Sequence, residues 1–172
     1  MCSSDLFGAR AEELGLGESL AFLREVDAVN LRRRQRVVDL IVGLLGGSVH
    51  QRRVAVLGLA FKPDSDDVRD SPALDVAVQL HGLGADVVST DPQAIENARG
   101  RHPQLRYVDD VATAVADAEV VVLLTEWREY RELDPVQLAE LVGSRIVVDG
   151  RNVLDSATWR AAGWVYRGMG RR

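Results

Sequence analysis

From Gly47 to the end of the chain, short apolar runs alternate with segments of helical periodicity. Continuous apolar runs of this length are typical of strands buried on both faces. Four are predicted as strands: Arg53–Leu57, Ala85–Ser89, Glu119–Leu124 and Arg145–Val148, with Leu105–Val108 and Trp164–Tyr166 as weaker candidates. Helices are predicted at about Ala73–Leu83, Pro92–Arg99, Asp110–Ala116, Pro135–Leu141 and Ser156–Ala161. This alternation predicts an α/β fold, a parallel sheet with right-handed crossovers and helices on its faces.

Before Gly46 and Gly47, the periodicity predicts one long amphipathic helix, from about Ser19 to Leu45. Its face is formed by Leu20, Leu23, Val26, Asn30, Val37, Leu40, Ile41, Leu44 and Leu45. A helix of this length does not bury its own apolar face, so we expect a partner subunit or another domain to cover it. Asn30 on that face is either a hydrogen-bonded core residue, the simpler interpretation, or one that sets the register of packing.

The most informative segment is the polar loop between the first strand and the helix that Ser71 and Pro72 introduce. Ligands of open α/β sheets bind outside the carboxyl ends of the strands, where this loop places Phe61, Lys62 and Arg69. Gly58 stands alone, without the further glycines of a pyrophosphate-binding G-x-G-x-x-G turn, so the sheet is Rossmann-like but lacks a dinucleotide fingerprint. Recognition of an anion by side-chain charge is one interpretation, and a surface loop with solvated charges is the other.

Polar residues also follow the other strands, at the same edge of the predicted sheet. The expected cleft is lined by Lys62, Arg151 and the turn Thr125–Trp127. Asp91 would either bind a ribose or cap the following helix, and the cap is favoured because Pro92 follows it. Trp127 would either stack on a base or shield the sheet edge. Arg151 follows a buried strand by three residues and would be either a ligand-binding or a solvent-facing arginine.

Composition and charge narrow the classes of partner. The chain of 172 residues has a net charge of -5, which argues against nucleic acid as the main partner. The basic cluster Arg32–Arg36 is interpreted as the solvated face of a helix. No apolar run approaches the roughly 20 residues of a membrane span, and the opening residues lack a secretory pattern, so we expect no membrane partner and a cytoplasmic location. The histidines His50, His81 and His102 lack metal-ligand spacing, so no metal site is predicted.

Three segments resemble the C-terminal part of the UDP-glucose/GDP-mannose dehydrogenase family. The first runs from Gly58 to Pro72 and reads GLAFKPDSDDVRDSP; the second is Asp149-Gly-Arg-Asn152 after a strand. The third, Phe22–Arg36, is similar to the central linking helix of the family. Together with the intervening sequence, the resemblance extends over nearly the whole chain from about Ala9.

The resemblance implies an activity and roles for particular residues. The family oxidises the C6 alcohol of a nucleotide sugar to a carboxylate by two hydride transfers to NAD, through a thioester on cysteine. By this resemblance, Phe61, Lys62 and Arg151 would contact a UDP-sugar, Arg69 would approach NAD, and the linking helix would form a homodimer interface. UDP-glucose is the expected substrate. GDP-mannose, UDP-N-acetylmannosamine and a stand-alone, non-catalytic nucleotide-sugar-binding module remain alternatives.

Two motifs of the family are not found in this sequence. There is no G-x-G-x-x-G loop, and Cys2 lacks the G-G-S-C-[FL]-P-K-D context of the catalytic cysteine, so no catalytic residue is assigned. We therefore expect a C-terminal fragment that is inactive alone, with NAD bound mainly by the missing N-terminal domain. Residues 1–18 are expected to be a non-matching start with a short helical segment, 19–47 part of the linking helix, and 48–172 the UDP-sugar-binding domain.

Overall fold

The structure, a computed structural model, describes residues 21–170, with side chains from residue 25 onward. The chain divides into two units between Arg36 and Val37. The predictions for residues 1–18 and for Cys2 fall outside the described part of the chain. The helix α1 (Ala21–Leu44) confirms the long helix that the periodicity predicts, and a turn with positive φ at Gly46 and Gly47 follows it.

A six-stranded, wholly parallel sheet in the order β3-β2-β1-β4-β5-β6 lies at the centre of the second unit. Its strands are β1 (Arg53–Leu57), β2 (Asp86–Thr90), β3 (Arg106–Tyr107), β4 (Val120–Leu123), β5 (Ile146–Asp149) and β6 (Val165–Gly168). The connecting helices are α2 (Pro72–Gly82), α3 (Ile95–Arg101), α4 (Val111–Val115), α5 (Arg128–Arg131), α6 (Pro135–Leu138) and α7 (Ser156–Ala161). The predicted α/β, Rossmann-like fold is confirmed.

The central strands are buried because both faces of the sheet are covered. Every residue of β4 is buried, as are the last four residues of β1 and of β2. The second unit also buries Val37, Val38 and Ile41 of α1, which belong to the same core cluster as the strands. Since parallel sheets are normally covered on both faces, a continuous apolar run identifies such strands better than alternation does.

The first half of α1 leaves apolar side chains exposed, as expected of a face that the chain itself covers only in part. Asn30 is exposed, so it is not a core residue of the described chain, and a role in setting the register of packing stays a prediction. Val26 and Leu31 are also exposed, with half or more of each side chain accessible. Arg32, Arg33 and Arg36 are exposed too, which agrees with the solvated helix face expected for the basic cluster.

Two elements near the carboxyl edge of the sheet depart from the prediction. The short helix α5 was not predicted, because its four residues, three of them charged, carry no apolar period. The helix α3 begins at Ile95, three residues later than expected, because residues 92–94 form a turn. No helix among residues 21–170 has the length and apolar character needed to cross a membrane.

Candidate functional site

The order of the strands reverses between β1 and β4, so the loops after these two strands diverge to opposite sides of the sheet. A crevice at such a switch point is the usual ligand site of open α/β sheets. Gly58 follows β1 with a φ of +96°, and a Cβ atom there would lie 2.5 Å from Cβ of Thr125. The Thr125 hydroxyl donates a hydrogen bond of 2.8 Å to the carbonyl of Ala60. The loops that follow β1 and β4 are thus fixed to one another through Gly58, Ala60 and Thr125.

A buried carboxylate, that of Asp91, holds three chain segments together at this edge. One oxygen, Oδ2, accepts the N–H groups of Leu59 at 2.7 Å and Ala60 at 3.0 Å, and also Nε1 of Trp127 at 3.1 Å. The other, Oδ1, accepts the N–H groups of Gln93 and Ala94 at 3.0 and 2.9 Å. Asp91 is 2 % exposed. The carboxylate therefore caps the turn of residues 92–94 and not α3 itself, whose N-cap is Ala94 without a side-chain hydrogen bond. Because protein donors occupy both oxygens, this carboxylate does not bind a ribose in this arrangement.

Trp127 is likewise an interior residue, 5 % exposed. Its ring therefore shields the sheet edge and does not present a face on which a base could stack. Thr125 is also buried, so Glu126 is the partly exposed side chain of the turn Thr125–Trp127. The expected cleft lining is corrected accordingly: of this turn, only Glu126 reaches the surface.

The loop between β1 and α2 closes on itself at both ends. The Ser71 hydroxyl donates to the Leu59 carbonyl at 2.6 Å and accepts the Leu74 N–H at 3.3 Å, so it caps α2 and secures the loop. Further out, the Phe61 N–H donates to the Asp67 carbonyl at 2.9 Å. Between these contacts Phe61 and Lys62 are exposed. Lys62 is the only lysine of the chain; all other Lys/Arg positions are arginine.

Arg151 joins this loop to the strand ends on the other side of the switch point. Its Nη2 donates to the Phe61 carbonyl at 3.3 Å, and its Nε lies 3.0 Å from Oε2 of Glu126. The buried Asp149 carboxylate fixes the backbone, accepting the Arg151 N–H at 3.0 Å and the Leu154 N–H at 2.8 Å. The structure therefore brings Arg151 to the loop that carries Phe61 and Lys62. It also places Glu126, from the turn that the sequence predicted to line the cleft, against Arg151, a pairing that the sequence did not predict.

Arg69, by contrast, lies at a separate depression of about 430 Å³. Its guanidinium forms a bidentate pair with Asp67, with Nε–Oδ1 and Nη2–Oδ2 distances of 3.0 and 2.8 Å. The hydrogen bond from the Arg69 side chain lowers the pKa of the Asp67 carboxyl to about 2. The depression is lined by Asp66, Asp67, Val68, Arg69, Asn97 and Arg101, and not by Phe61, Lys62 or Arg151. The two basic residues of the loop, Lys62 and Arg69, thus lie on two separate surfaces.

Residues 21–170 bring together no group of three His, Cys, Asp or Glu side chains that could hold a metal ion. The chemistry offered at the switch point is that of an anion or hydroxyl binder. It combines an exposed ammonium, a guanidinium held in place by the fold, and an exposed aromatic ring.

Residues 55–156, more than half of the chain, match the model of the UDP-glucose/GDP-mannose dehydrogenase family, UDP binding domain. The chain belongs to this family. Among curated relatives, the UDP-glucose 6-dehydrogenase TuaD of Bacillus subtilis is 37% identical over 156 residues, which cover 90% of this chain and 34% of that protein. The chain spans about a third of the length of the curated relatives it matches.

Solved structures of the dehydrogenase family share the fold. A UDP-glucose dehydrogenase from Pyrobaculum islandicum superposes with a TM-score of 0.77 at 37% identity, covering 94% of this chain and 34% of the other. An NDP-N-acetyl-D-galactosaminuronic acid dehydrogenase from Methanosarcina mazei gives a TM-score of 0.69 at 27% identity, covering 81% of this chain and 29% of the other. Two of the three segments that carry the sequence resemblance, Gly58–Pro72 and Asp149–Asn152, lie within the matched UDP-binding domain. The third, the linking-helix segment Phe22–Arg36, lies before it.

Proposed function

We propose that this chain is the UDP-sugar-binding part of an NAD-dependent UDP-glucose 6-dehydrogenase, which oxidises UDP-glucose to UDP-glucuronate. The observation that carries the proposal is the contact between Arg151 and the Phe61 carbonyl at the switch point, because it joins the two motifs of the family's UDP-binding domain in one site. The higher identity to proteins named UDP-glucose dehydrogenases supports UDP-glucose over other nucleotide sugars.

In the proposed site, Phe61, Lys62 and Arg151 contact the substrate. The ammonium of Lys62 supplies a compact charge for a phosphate oxygen, whereas the planar guanidinium of Arg151 supplies paired N–H donors. In a chain whose other Lys/Arg positions are all arginine, the single lysine supports a need for a point charge at position 62. Phe61, 49 % exposed, offers an apolar wall to the ligand.

NAD belongs to the proposal as the hydride acceptor of the whole enzyme. The turn after β1 does not fit a pyrophosphate, because Gly58 packs on Thr125 and leaves no cradle there. The exposed guanidinium of Arg69, oriented by Asp67, fits an approach to a cofactor held mainly by another domain. The proposal also includes a homodimer through the linking helix 19–47, a binding domain at 48–172 and a cytoplasmic location.

Binding of nucleotide sugars to the purified chain tests the site. We expect UDP-glucose to bind more tightly than GDP-mannose or UDP-N-acetylmannosamine in calorimetric titration. Lys62→Ala and Arg151→Ala should each weaken UDP-glucose binding by about tenfold to a hundredfold, since a hydrogen bond to a charged group contributes roughly 1.5–3 kcal/mol. Arg151→Lys should restore little, because an ammonium does not reproduce paired donors.

Two controls accompany this series. Arg52→Ala removes an exposed arginine at the amino-terminal edge of the sheet and should leave the affinity unchanged. Arg69→Ala should also leave it nearly unchanged, because its proposed ligand is the cofactor. Equal affinity of the unsubstituted chain and Lys62→Ala would contradict the proposed site, and tighter binding of GDP-mannose would reassign the substrate.

A further inference from the structure

We propose that Glu126 is a positioning residue, which holds the Arg151 guanidinium in the orientation that meets the substrate. The inference deepens the proposed function and rests on it. Its starting point is the 3.0 Å contact between Oε2 of Glu126 and Nε of Arg151, two side chains that are each one-third exposed. Phe61 provides the second contact, through its carbonyl and Nη2 of Arg151.

Glu126 is itself held on a rigid support. The residues on either side of it, Thr125 and Trp127, are buried and bonded to the neighbouring loops, Thr125 to the Ala60 carbonyl and Trp127 to the Asp91 carboxylate. The Glu126 side chain therefore extends from a backbone that is fixed in position. A residue that orients another side chain needs such support.

The guanidinium has donors left for a ligand. Five N–H groups are available on an arginine side chain. Nη2 donates to the Phe61 carbonyl, whereas the buried Nε lies 3.0 Å from the Glu126 carboxylate as an ion pair without a hydrogen bond. Within residues 21–170, the guanidinium of Arg151 has no further hydrogen bond to the protein. A guanidinium restrained at two points loses less conformational freedom when it binds, so its hydrogen bonds to a substrate contribute more to affinity.

A second effect of the Glu126 carboxylate would change the affinity for the substrate in the opposite direction. A carboxylate beside Arg151 repels a diphosphate and competes for the guanidinium, so its removal would then tighten binding. Positioning predicts weaker binding after removal. The sign of the change in affinity therefore separates the two.

The experiment is a calorimetric titration of UDP-glucose into the 172-residue chain and its Glu126→Gln variant. We expect about threefold to tenfold weaker binding, which lies in the lower part of the range of pairwise coupling between contacting residues. Glu119→Gln is the matched control: it makes the same charge change in an Arg–Glu pair, with Arg52, at the opposite edge of β1 and β4. Its affinity should stay within about twofold of the unsubstituted chain.

A double-mutant cycle provides a readout that a merely structural role would not move. In an Arg151→Ala background, Glu126→Gln should change the affinity by less than about twofold, because Glu126 acts through Arg151. Thermal unfolding of each variant verifies that the fold is intact. Tighter binding of Glu126→Gln, unchanged binding, or an equal loss in both backgrounds would overturn the inference alone. Absence of binding by the unsubstituted chain would overturn the proposed function and this inference with it.

Discussion

At the scale of single residues, the surface pair of Asp67 and Arg69 shifts the pKa of the Asp67 carboxyl far enough for a titration to measure it. The Arg69 side chain holds the pKa of Asp67 at about 2, below its ordinary value of 3.8. Ionised Asp67 therefore contributes stability above about pH 3.8, and this contribution is lost as the pH falls towards 2. Arg69→Ala should return the pKa of Asp67 towards its ordinary value, which a carboxyl NMR titration would measure.

The control for this titration is Asp110, whose lowered pKa has a different cause. Hydrogen bonds from the backbone and side chain of Thr113 lower it, so Arg69→Ala should leave it in place. A pKa of Asp67 that stays near 2 in Arg69→Ala would show that the guanidinium is not the cause of the shift.

Single residues also show where sequence reasoning stops. The bonds of Asp91 to the N–H groups of Gln93 and Ala94 were predictable because they involve the next few residues, as Pro92 indicates. Its bonds to the Leu59 N–H and to Trp127 join residues 32 and 36 positions apart, and no local pattern reports such contacts. The contact of Arg151 with Phe61, 90 positions apart, is of the same kind. The sequence could predict that these residues share an edge but could not predict their pairing.

At the scale of elements, the close approach of β1 and β4 depends on Gly58. An added Cβ would lie 2.5 Å from Cβ and 2.6 Å from the backbone N of Thr125, at a φ that side chains rarely adopt. Gly58→Ala should lower the free energy of unfolding by about 3 kcal/mol or more, the sum of backbone strain and overpacking. Urea-induced unfolding followed by circular dichroism would measure the change.

Gly47 offers a matched control for this substitution. It has the same φ of +96°, but a Cβ there meets no atom within 4 Å. Gly47→Ala should therefore cost only the backbone strain, about 1–2 kcal/mol. Equal losses for Gly47→Ala and Gly58→Ala would show that the contact with Thr125 carries no energy.

The elements themselves were predictable where burial alone decides them. The strands β1, β2, β4 and β5 lie within about one residue of their predicted ends, because a run buried on both faces is apolar throughout. The helix α5 was missed because its one buried residue is Tyr130, whose hydroxyl donates to the carbonyl of Thr90 in β2, 40 positions away. A four-residue helix fixed by tertiary contact leaves no signal in the local sequence.

At the scale of the whole molecule, the exposed apolar residues of α1 bear on the proposed homodimer. Val26 is 50% and Leu31 58% exposed, and exposed apolar surface often marks an interface. We expect the chain to associate at concentrations of about tens of micromolar, a range in which weak dimers form. Val26→Glu and Leu31→Glu should each weaken the association, which sedimentation or light scattering would measure.

Leu83→Glu is the control for this association. Leu83 is 52% exposed but follows α2 in the second unit, so a charge there should leave the association unchanged. A stable monomer at these concentrations would contradict the proposed dimer, and an equal effect of Leu83→Glu would assign the association to non-specific contacts.

The anchoring of the β1–α2 loop has a consequence for the kinetics of recognition. The Asp91 carboxylate accepts the Leu59 N–H, and the Ser71 hydroxyl donates to the Leu59 carbonyl. The Phe61 N–H donates to the Asp67 carbonyl across the loop. Most of the backbone entropy of this segment is therefore lost when the chain folds and not when a ligand arrives. A nucleotide sugar meeting Phe61 and Lys62 would need to order side chains alone, so diffusional encounter would limit association, with no loop closure to slow it.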